Sequence, residues 1–136
     1  MKVAVHRLRP DVDLPEFQTP GSVGFDLAAA EDISIEAGTI ALVPTGLVIE
    51  TPKGFALILA SRSSAPKKFG ITPPHGIGVI DQDYCGGEDE IKVLVRNFTK
   101  EPVTLKKGQR IAQGIFMKIE QAQFIESDLS ERESRG

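Results

Sequence analysis

Two carboxylates and the only tyrosine of the chain lie close together in the segment His75–Asn97, HGIGVIDQDYCGGEDEIKVLVRN. A carboxylate such as Asp81 or Asp83 could orient and deprotonate a water molecule within hydrogen-bond reach. The ring of Tyr84 could pack flat on a sugar and disfavour an extra hydroxyl on that face. Acidic turn tips are common, so these residues taken alone favour a surface turn over a site.

A second set of residues that could take part in binding or catalysis lies in the segment Ala60–Ala65, ASRSSA, which follows a predicted strand. Arg62 offers a planar, permanently charged fork that suits a phosphate group. The hydroxyls of Ser63 and Ser64 add hydrogen-bond donors beside it. Serine-rich loops are usually plain connections, so this segment alone is only a modest indication of a phosphate site.

Two further segments combine glycines with polar side chains. In Gly21–Ala29, GSVGFDLAA, Asp26 could hold a hydrated cation or cap its own loop. In Lys107–Gln113, KGQRIAQ, the amide of Gln113 could reach an anion or a neighbouring loop. Each segment by itself is typical of an ordinary turn.

The elements that would have to position these side chains are short strands. Apolar stretches between evenly spread glycines and prolines predict strands, with the clearest alternation in Phe55–Ala60 and Ile91–Asn97. Because no long amphipathic period is present, we expect an all-β sandwich or barrel, a jelly roll among the candidates. Five further segments are predicted as strands: Val3–Leu8, Thr39–Glu50, Ile77–Asp81, Val103–Leu105 and Arg110–Glu120.

The segment His75–Asn97 itself is predicted to form a β-hairpin, with Gly86 and Gly87 at its turn. Two places could depart from strand structure. The stretch Ala28–Asp32 could make one turn, and Ser64–Phe69 could form a brief helix.

Length and composition predict one soluble domain. The chain has 136 residues, of which 40% are hydrophobic and 26% charged, as is ordinary for a globular protein. Residues 1–124 are expected to form the single all-β domain. The polar, charged stretch 125–136 is predicted to be a mobile C-terminal tail.

Charge and cysteine content exclude several classes of partner. A net charge of −3 and few aromatic residues argue against a nucleic-acid-binding surface. The sequence has no apolar run of membrane-spanning length and no signal peptide, so no membrane partner is expected. Cys85, the only cysteine, cannot form an intramolecular disulfide, which favours a cytoplasmic location.

In chain order, the segments GSVGFDLAA, SRSS, GVIDQDYCG and GQRIAQG resemble the motifs of the trimeric deoxyuridine triphosphatase (dUTPase) family. The resemblance covers Val3 to Gly136, and the VID-x-DY-x-G pattern is its most specific part. It implies a jelly-roll or β-clip-like barrel subunit that assembles as a homotrimer, with active sites where subunits meet. It also implies hydrolysis of dUTP to dUMP and pyrophosphate, with Mg²⁺ on the phosphates.

The resemblance also implies roles for individual residues. Asp81 would activate the attacking water, Tyr84 would lie under the deoxyribose and exclude ribonucleotides, and Asp26 would touch the Mg²⁺ shell through water. The residues implied to contact the phosphates are Arg62, Ser63, Ser64 and Gln113. The residues implied to form the uracil slot are His75, Val79, Ile80, Ile91 and Lys92. Arg132 or Arg135 in the tail would reach the outer phosphate, and the sequence does not decide between them.

Four features depart from the family pattern. Cys85 stands where the family often has Arg or Gln, Gly87–Glu90 lengthens the turn, and His75 replaces an Asn common in bacterial members. The family's last motif is an arginine followed by a glycine-rich, Phe-containing segment that closes over the base. The sequence stops at Ser134–Gly136, where that segment would begin, so we expect a missing segment or incomplete closure with reduced activity.

Two alternative functions stay open at this point. A deoxycytidine triphosphate deaminase shares the fold and an Arg-Ser-Ser loop, and its general acid/base would be Glu88 or Glu90. The sequence VIDQDY favours the triphosphatase over this alternative. A trimer that binds nucleotide without catalysis is the other alternative, because the closing segment is absent from the sequence.

Overall fold

The computed structural model describes residues 1–128 and 132–136. This part of the chain contains short strands and a single short helix, so the all-β prediction is confirmed. In chain order the elements are β1 Val5–Arg7, β2 Phe25–Ala28, β3 Ile33–Ile35, β4 Ile40–Pro44, β5 Leu47–Ile49, β6 Phe55–Ser61, α1 Ala65–Phe69, β7 Ile71–Thr72, β8 Gly78–Ile80, β9 Lys92–Asn97, β10 Val103–Leu105 and β11 Arg110–Lys118.

Two larger sheets and two small ones make up the domain. One sheet has the strand order β2-β11-β6-β8 and the other has the order β4-β9-β7. Strands β1 and β5 form one two-stranded sheet, and β10 and β3 form the other. Every one of these pairs is antiparallel, and none of them joins strands that are consecutive in the chain.

The hydrophobic core lies between the two larger sheets. Alternate residues of a strand face opposite sides of its sheet, so one face of each strand can be buried. In β6 the buried side chains are Leu57 and Leu59, and in β9 they are Val93 and Val95. These residues belong to one continuous cluster with apolar residues of β2 and β11. The alternation seen in the sequence therefore corresponds to alternate burial in both strands.

The segment Thr39–Glu50, predicted as one strand, forms two strands in different sheets. β4 pairs with β9, whereas β5 pairs with β1. The chain changes direction at Gly46, whose φ of +71° is accessible to glycine at little cost. A Cβ at this position would lie 2.7 Å from a methyl carbon of Val12. The prediction of a single strand was wrong because a buried turn interrupts the apolar run.

The hairpin prediction for His75–Asn97 was also wrong. β8 pairs with β6, whereas β9 pairs with β4 and β7, so the two arms belong to different sheets. The returning arm is held at Ile91, whose N–H donates to the carbonyl of Leu47 at 2.8 Å. Hydrogen bonds to the β4–β5 turn therefore replace those expected between the two arms.

Other predictions differ in detail. The brief helix was confirmed as α1, but Ala28–Asp32 forms no helical turn, because Ala28 ends β2. The predicted strand Val3–Leu8 is restricted to Val5–Arg7. Strands β2, β3 and β7, which have two to four residues each, were not predicted.

The chain leaves the sheets after β11 ends at Lys118. Residues 120–128 and 132–136 are exposed, and residues 129–131 of the predicted tail lie outside the described part. The boundary at residue 124 stays a prediction. Among the described residues, no helix has both the length and the apolar character that crossing a membrane requires.

A buried asparagine fixes the end of β9. The side chain of Asn97 is fully buried and donates to the carbonyls of Ile35 at 3.0 Å and Glu101 at 2.8 Å. Its Oδ1 atom accepts from the backbone N–H and the hydroxyl of Thr99 at 2.9 and 2.7 Å. All the hydrogen-bonding capacity of the amide is therefore used, and burial of this polar group is compensated.

Replacing Asn97 by alanine is expected to lower the free energy of unfolding by about 3 kcal/mol, because several buried partners lose their hydrogen bonds. Ser34→Ala serves as the control, since Ser34 makes an exposed hydroxyl contact with Thr104 at 3.1 Å. It should cost less than about 0.5 kcal/mol. Urea unfolding at one fixed protein concentration measures both. Equal effects of the two changes would contradict the structural role of Asn97.

Candidate active site

Asp26 lies between two arginines at one end of the four-stranded sheet. Its Oδ1 atom is 2.8 Å from Nε of Arg62, and its Oδ2 atom is 3.7 Å from Nε of Arg110. The carboxylate is largely buried, and Oδ2 makes no hydrogen bond. Two guanidinium groups and one carboxylate leave a net positive charge, which suits a polyanion such as a phosphate chain. We call these three residues the arginine cluster.

Gln113 joins the arginine cluster through strand register. It lies on β11 opposite Asp26 on β2 and opposite Ala60 on β6. Its amide nitrogen donates to the carbonyl of Ser61 at 3.0 Å, which supports the start of the loop that carries Arg62. Gly24 makes room for this amide, since a Cβ there would lie 2.4 Å from Oε1 of Gln113. Gly24 of the motif GSVGFD therefore leaves room for the Gln113 amide, which would have to move aside for a larger residue there.

Arg110 was missed by sequence reasoning. It was treated as part of an ordinary basic turn, yet Nη1 of its guanidinium donates to Gln18 at 2.8 Å while Nε faces Asp26. The turn before it is held by Asp32, which accepts from the backbone N–H of Lys107 at 2.8 Å. That hydrogen bond, with the nearby ammonium of Lys106, lowers the pKa of Asp32. The feature of the sequence that could have identified Arg110 is its position as the first residue of a predicted strand.

Ser63 and Ser64 follow Arg62 and are exposed beside the arginine cluster. Ser64 precedes α1, and its hydroxyl makes no capping hydrogen bond with that helix. Both hydroxyls therefore lie at the surface next to a positively charged group. The phosphate-binding role of this loop stays a prediction.

A cavity of about 290 Å³ lies between β8 and β9. β8 pairs with β6 along one edge only, and β7 covers β9 only at Arg96 and Asn97. Within the described residues, the facing edges of Gly78–Ile80 and Lys92–Val95 therefore carry no strand partner. Unpaired edges present backbone N–H and C=O groups that can pair with a planar polar ligand. We call this cavity the edge slot.

Most residues predicted for a base slot line the edge slot. His75, Val79, Ile80 and Lys92 all do so. Ile91 does not, because its side chain is fully buried and its backbone is engaged elsewhere. Its N–H donates to Leu47, and its carbonyl accepts from Thr45. The structure thus separates Ile91 from the residues it was predicted to join.

Asp81 and Tyr84 lie just beyond the edge slot, in the loop that follows β8. Asp81 is an exposed residue, and its backbone carbonyl accepts the N–H of Tyr84 at 3.2 Å. Tyr84 is 38% exposed, and its hydroxyl donates to the backbone carbonyl of Glu90 at 2.9 Å. The loop therefore carries an exposed carboxylate and a partly exposed aromatic ring three residues apart.

Asp81 and the arginine cluster are far apart within one chain. Ile80 pairs with Leu57, so Asp81 follows in register opposite Ala56, whereas Arg62 follows the other end of β6. Six residues of strand separate these positions, and a rise near 3.3 Å per residue gives roughly 20 Å. Reacting groups must come within about 3.5 Å of one another. A single chain therefore does not bring both groups to one phosphate.

The sequence model of the dUTPase family matches residues 11–136. The chain belongs to the dUTPase family. Two curated relatives carry the name deoxyuridine 5'-triphosphate nucleotidohydrolase. The protein of Desulfitobacterium hafniense (strain DSM 10664 / DCB-2) is 39% identical over 139 residues, covering 100% of this chain and 90% of that protein. The protein of Helicobacter pylori (strain P12) is 34% identical over 136 residues, covering 100% and 92%.

Solved dUTPase structures have the same fold. The crystal structure of dUTPase from Streptococcus mutans has a TM-score of 0.80 at 36% identity and covers 88% of this chain and 98% of that one. The dUTPase of Staphylococcus bacteriophage 80alpha has a TM-score of 0.85 at 21% identity, covering 98% and 99%. The second likeness concerns the fold alone. The subunit is therefore an all-β jelly roll, as predicted.

The side chains of residues 1–128 and 132–136 do not form a ready-made site for a resident metal ion. Among the described residues, no group of three or more His, Cys, Asp or Glu side chains could hold one. Asp26, the residue predicted to face Mg²⁺ through water, is ion-paired with Arg62 and Arg110 instead. Mg²⁺ in proteins is often held by substrate phosphates and waters with few protein ligands. Arg132 and Arg135 are exposed and outside the sheets, so their predicted phosphate contact stays a prediction.

Proposed function

We propose that this chain hydrolyses dUTP to dUMP and pyrophosphate at a site that a second copy of the chain completes. The observation that carries the proposal is the edge slot with Asp81 and Tyr84 directly beside it. Open backbone edges can pair with uracil, the ring can pack on the deoxyribose, and the carboxylate can activate water. The names of the curated relatives support the same activity.

Each side chain then has a role in the hydrolysis. Asp81 accepts a proton from the water that attacks the triphosphate, and the α–β phosphoanhydride bond breaks. Pyrophosphate leaves with the bridging oxygen. Tyr84 packs against the deoxyribose, so a ribose 2′-hydroxyl is rejected by steric conflict. His75, Val79, Ile80 and Lys92 surround the base in the edge slot.

The phosphates bind to the arginine cluster of a neighbouring copy. Arg62, Ser63 and Ser64 supply donors, and Gln113 supports their loop. The separation of roughly 20 Å along β6 places this cluster out of reach of the Asp81 of the same chain. A closed homotrimer brings the two halves together three times, with one site at each junction.

Mg²⁺ enters this scheme as the counter-ion of the triphosphate, that is, as part of the substrate. The phosphate oxygens supply the hard ligands that the chain's own side chains do not. No step assigned above to a residue depends on it. The remaining parts of the proposal are a cytoplasmic location, no nucleic-acid or membrane partner, and an outer-phosphate contact from Arg132 or Arg135.

Product analysis tests this function. The purified chain is offered dUTP, dCTP, UTP and dTTP separately with Mg²⁺, and the products are identified by chromatography. We expect dUMP and pyrophosphate from dUTP alone. Release of ammonia from dCTP would instead indicate a deaminase. Binding of dUTP without turnover would indicate a nucleotide-binding trimer, and adding a glycine-rich, Phe-containing C-terminal segment would then test for incomplete closure.

The deaminase alternative finds little support in the structure. It requires a glutamate that acts as general acid/base at the base slot. The carboxylate of Glu90 accepts the backbone N–H of Gly46 at 3.1 Å and is thus engaged with the β4–β5 turn. Glu88 is exposed and does not line the edge slot.

A further inference from the structure

The loop Asp81–Glu90 is fastened to the domain by a long polar side chain on each limb. On the outgoing limb, Oε1 of Gln82 accepts the backbone N–H of Gly54 at 2.9 Å. On the returning limb, Oε1 of Glu90 accepts the backbone N–H of Gly46 at 3.1 Å. Both glycines have positive φ and lie in turns between strands. The loop is therefore attached to two turns of the scaffold.

The attachment of the returning limb is the more rigid of the two. Gly46 is buried in a turn that tolerates no side chain, since a Cβ would meet Val12. Beside it, the hydroxyl of Thr45 donates to the carbonyl of Ile91 at 2.6 Å. Glu90 thus joins a part of the core with little freedom to move.

The returning limb also holds the hydroxyl of the tyrosine. The hydroxyl of Tyr84 donates to the backbone carbonyl of Glu90 at 2.9 Å, and its own N–H donates to Asp81. The other acidic side chain with a described contact in the turn, Asp89, accepts from Gly86 at 2.7 Å and stays within the loop. A chain of contacts therefore runs from the Tyr84 ring through Glu90 to Gly46.

We propose that Glu90 is a positioning residue for sugar selection, which fixes the Tyr84 ring by linking its hydroxyl to the buried turn at Gly46. The inference rests on the proposed function, because the ring selects a sugar only if nucleotide binds beside it. A ring held at both ends cannot move aside for a ribose 2′-hydroxyl. Preorganisation of this kind raises the penalty for the wrong substrate.

The sugar preference measures the effect. The ratio of kcat/KM for dUTP to that for UTP is expected to fall about tenfold in Glu90→Ala, the cost of one lost hydrogen bond of about 1.4 kcal/mol. Tyr84→Phe should lower the ratio similarly. The ratio of the double variant should fall no further, because both changes interrupt the same chain of contacts, one at the Tyr84 hydroxyl and the other at the Glu90 carboxylate. Tyr84→Ala gives the upper limit of the loss.

Matched variants separate positioning from a change in charge or stability. Glu90→Gln keeps the Oε1 acceptor and should retain the ratio within about twofold. Glu88→Ala removes the same charge from the same turn and should also retain it. A ratio unchanged in Glu90→Ala, or lowered equally in Glu88→Ala, would overturn the proposal.

The tyrosine itself provides a readout that needs no activity. The chain has one tyrosine and no tryptophan, so its intrinsic fluorescence reports on Tyr84 alone. Acrylamide quenching and fluorescence anisotropy should indicate a freer, more accessible ring in Glu90→Ala and not in Glu90→Gln. Unchanged quenching in Glu90→Ala would also overturn the proposal.

Failure of the proposed function is distinguishable from failure of this inference. If the wild-type chain binds dUTP without hydrolysing it, the ratio of dUTP to UTP affinities from calorimetry replaces the kinetic ratio. A fall in that ratio in Glu90→Ala would support the positioning role while the hydrolase proposal fails. If the wild-type chain binds neither nucleotide, both proposals are overturned.

Discussion

Replacing Asp81 by asparagine is expected to lower kcat for dUTP by about three orders of magnitude while dUTP binding persists. Asparagine has nearly the shape of aspartate, but its amide does not accept the proton of the attacking water. Asp81 is exposed at the end of β8, so the substitution disturbs no buried contact. Steady-state kinetics gives the loss, and calorimetry with dUTP gives the retained affinity.

Asp83→Asn is the matched control for this prediction. Asp83 is an exposed carboxylate in the same loop, two residues from Asp81, and the same chemical change should leave kcat within about threefold. If both substitutions lower kcat equally, the loss reflects the total negative charge of the loop. Asp81 would then lose its assignment as the group that activates water.

Mixing two inactive variants is expected to restore activity. In an Asp81→Asn chain the arginine cluster is intact, and in an Arg62→Gln chain Asp81 is intact. If each site takes one half from each of two neighbouring copies, random mixing in equal amounts makes about one quarter of the sites complete. The variants are unfolded together, refolded and assayed, with each variant refolded alone as the baseline. The mixture should reach about one quarter of the wild-type rate.

A second mixture serves as the control for complementation. Arg62→Gln and Gln113→Ala both affect the arginine-cluster half of the site, where Gln113 supports the loop that carries Arg62. Their mixture should give no more activity than the average of the two variants alone. The absence of recovery in the first mixture would contradict a site shared between copies and would place both halves within one chain.

The local alternation of side chains predicted the central strands. It failed where the structure depends on pairing between segments that are distant in the sequence. β6 and β9 were located correctly because their side chains alternate between core and surface. The pairing partner of β8 depends on which backbone is closest after folding, and no alternation within His75–Asn97 encodes it. Likewise, the turn at Gly46 is specified by contact with Val12, which is distant in sequence.

The sequence predicted which residues belong to the candidate site better than it predicted how they are arranged. Asp26, Arg62 and Gln113 were each identified from residue type, but their meeting depends on the register of β2, β11 and β6. Arg110 was missed because it was interpreted as part of a basic turn, and its approach to Asp26 depends on the pairing of β11 with β2. Ile91 was assigned to the slot through the family resemblance, whereas its hydrogen bonds with Leu47 and Thr45 hold it in the core.

The position of the edge slot between two sheets makes its width a property of the hydrophobic core. β8 belongs to one sheet and β9 to the other, so the gap between them changes whenever the sheets shift relative to each other. Core residues such as Leu59 and Val93 separate these strands while also lining the slot. Substitutions that merely change core volume should therefore alter which bases are accepted as well as stability. We therefore expect base selection in the edge slot to depend on core packing as well as on direct contacts with the base.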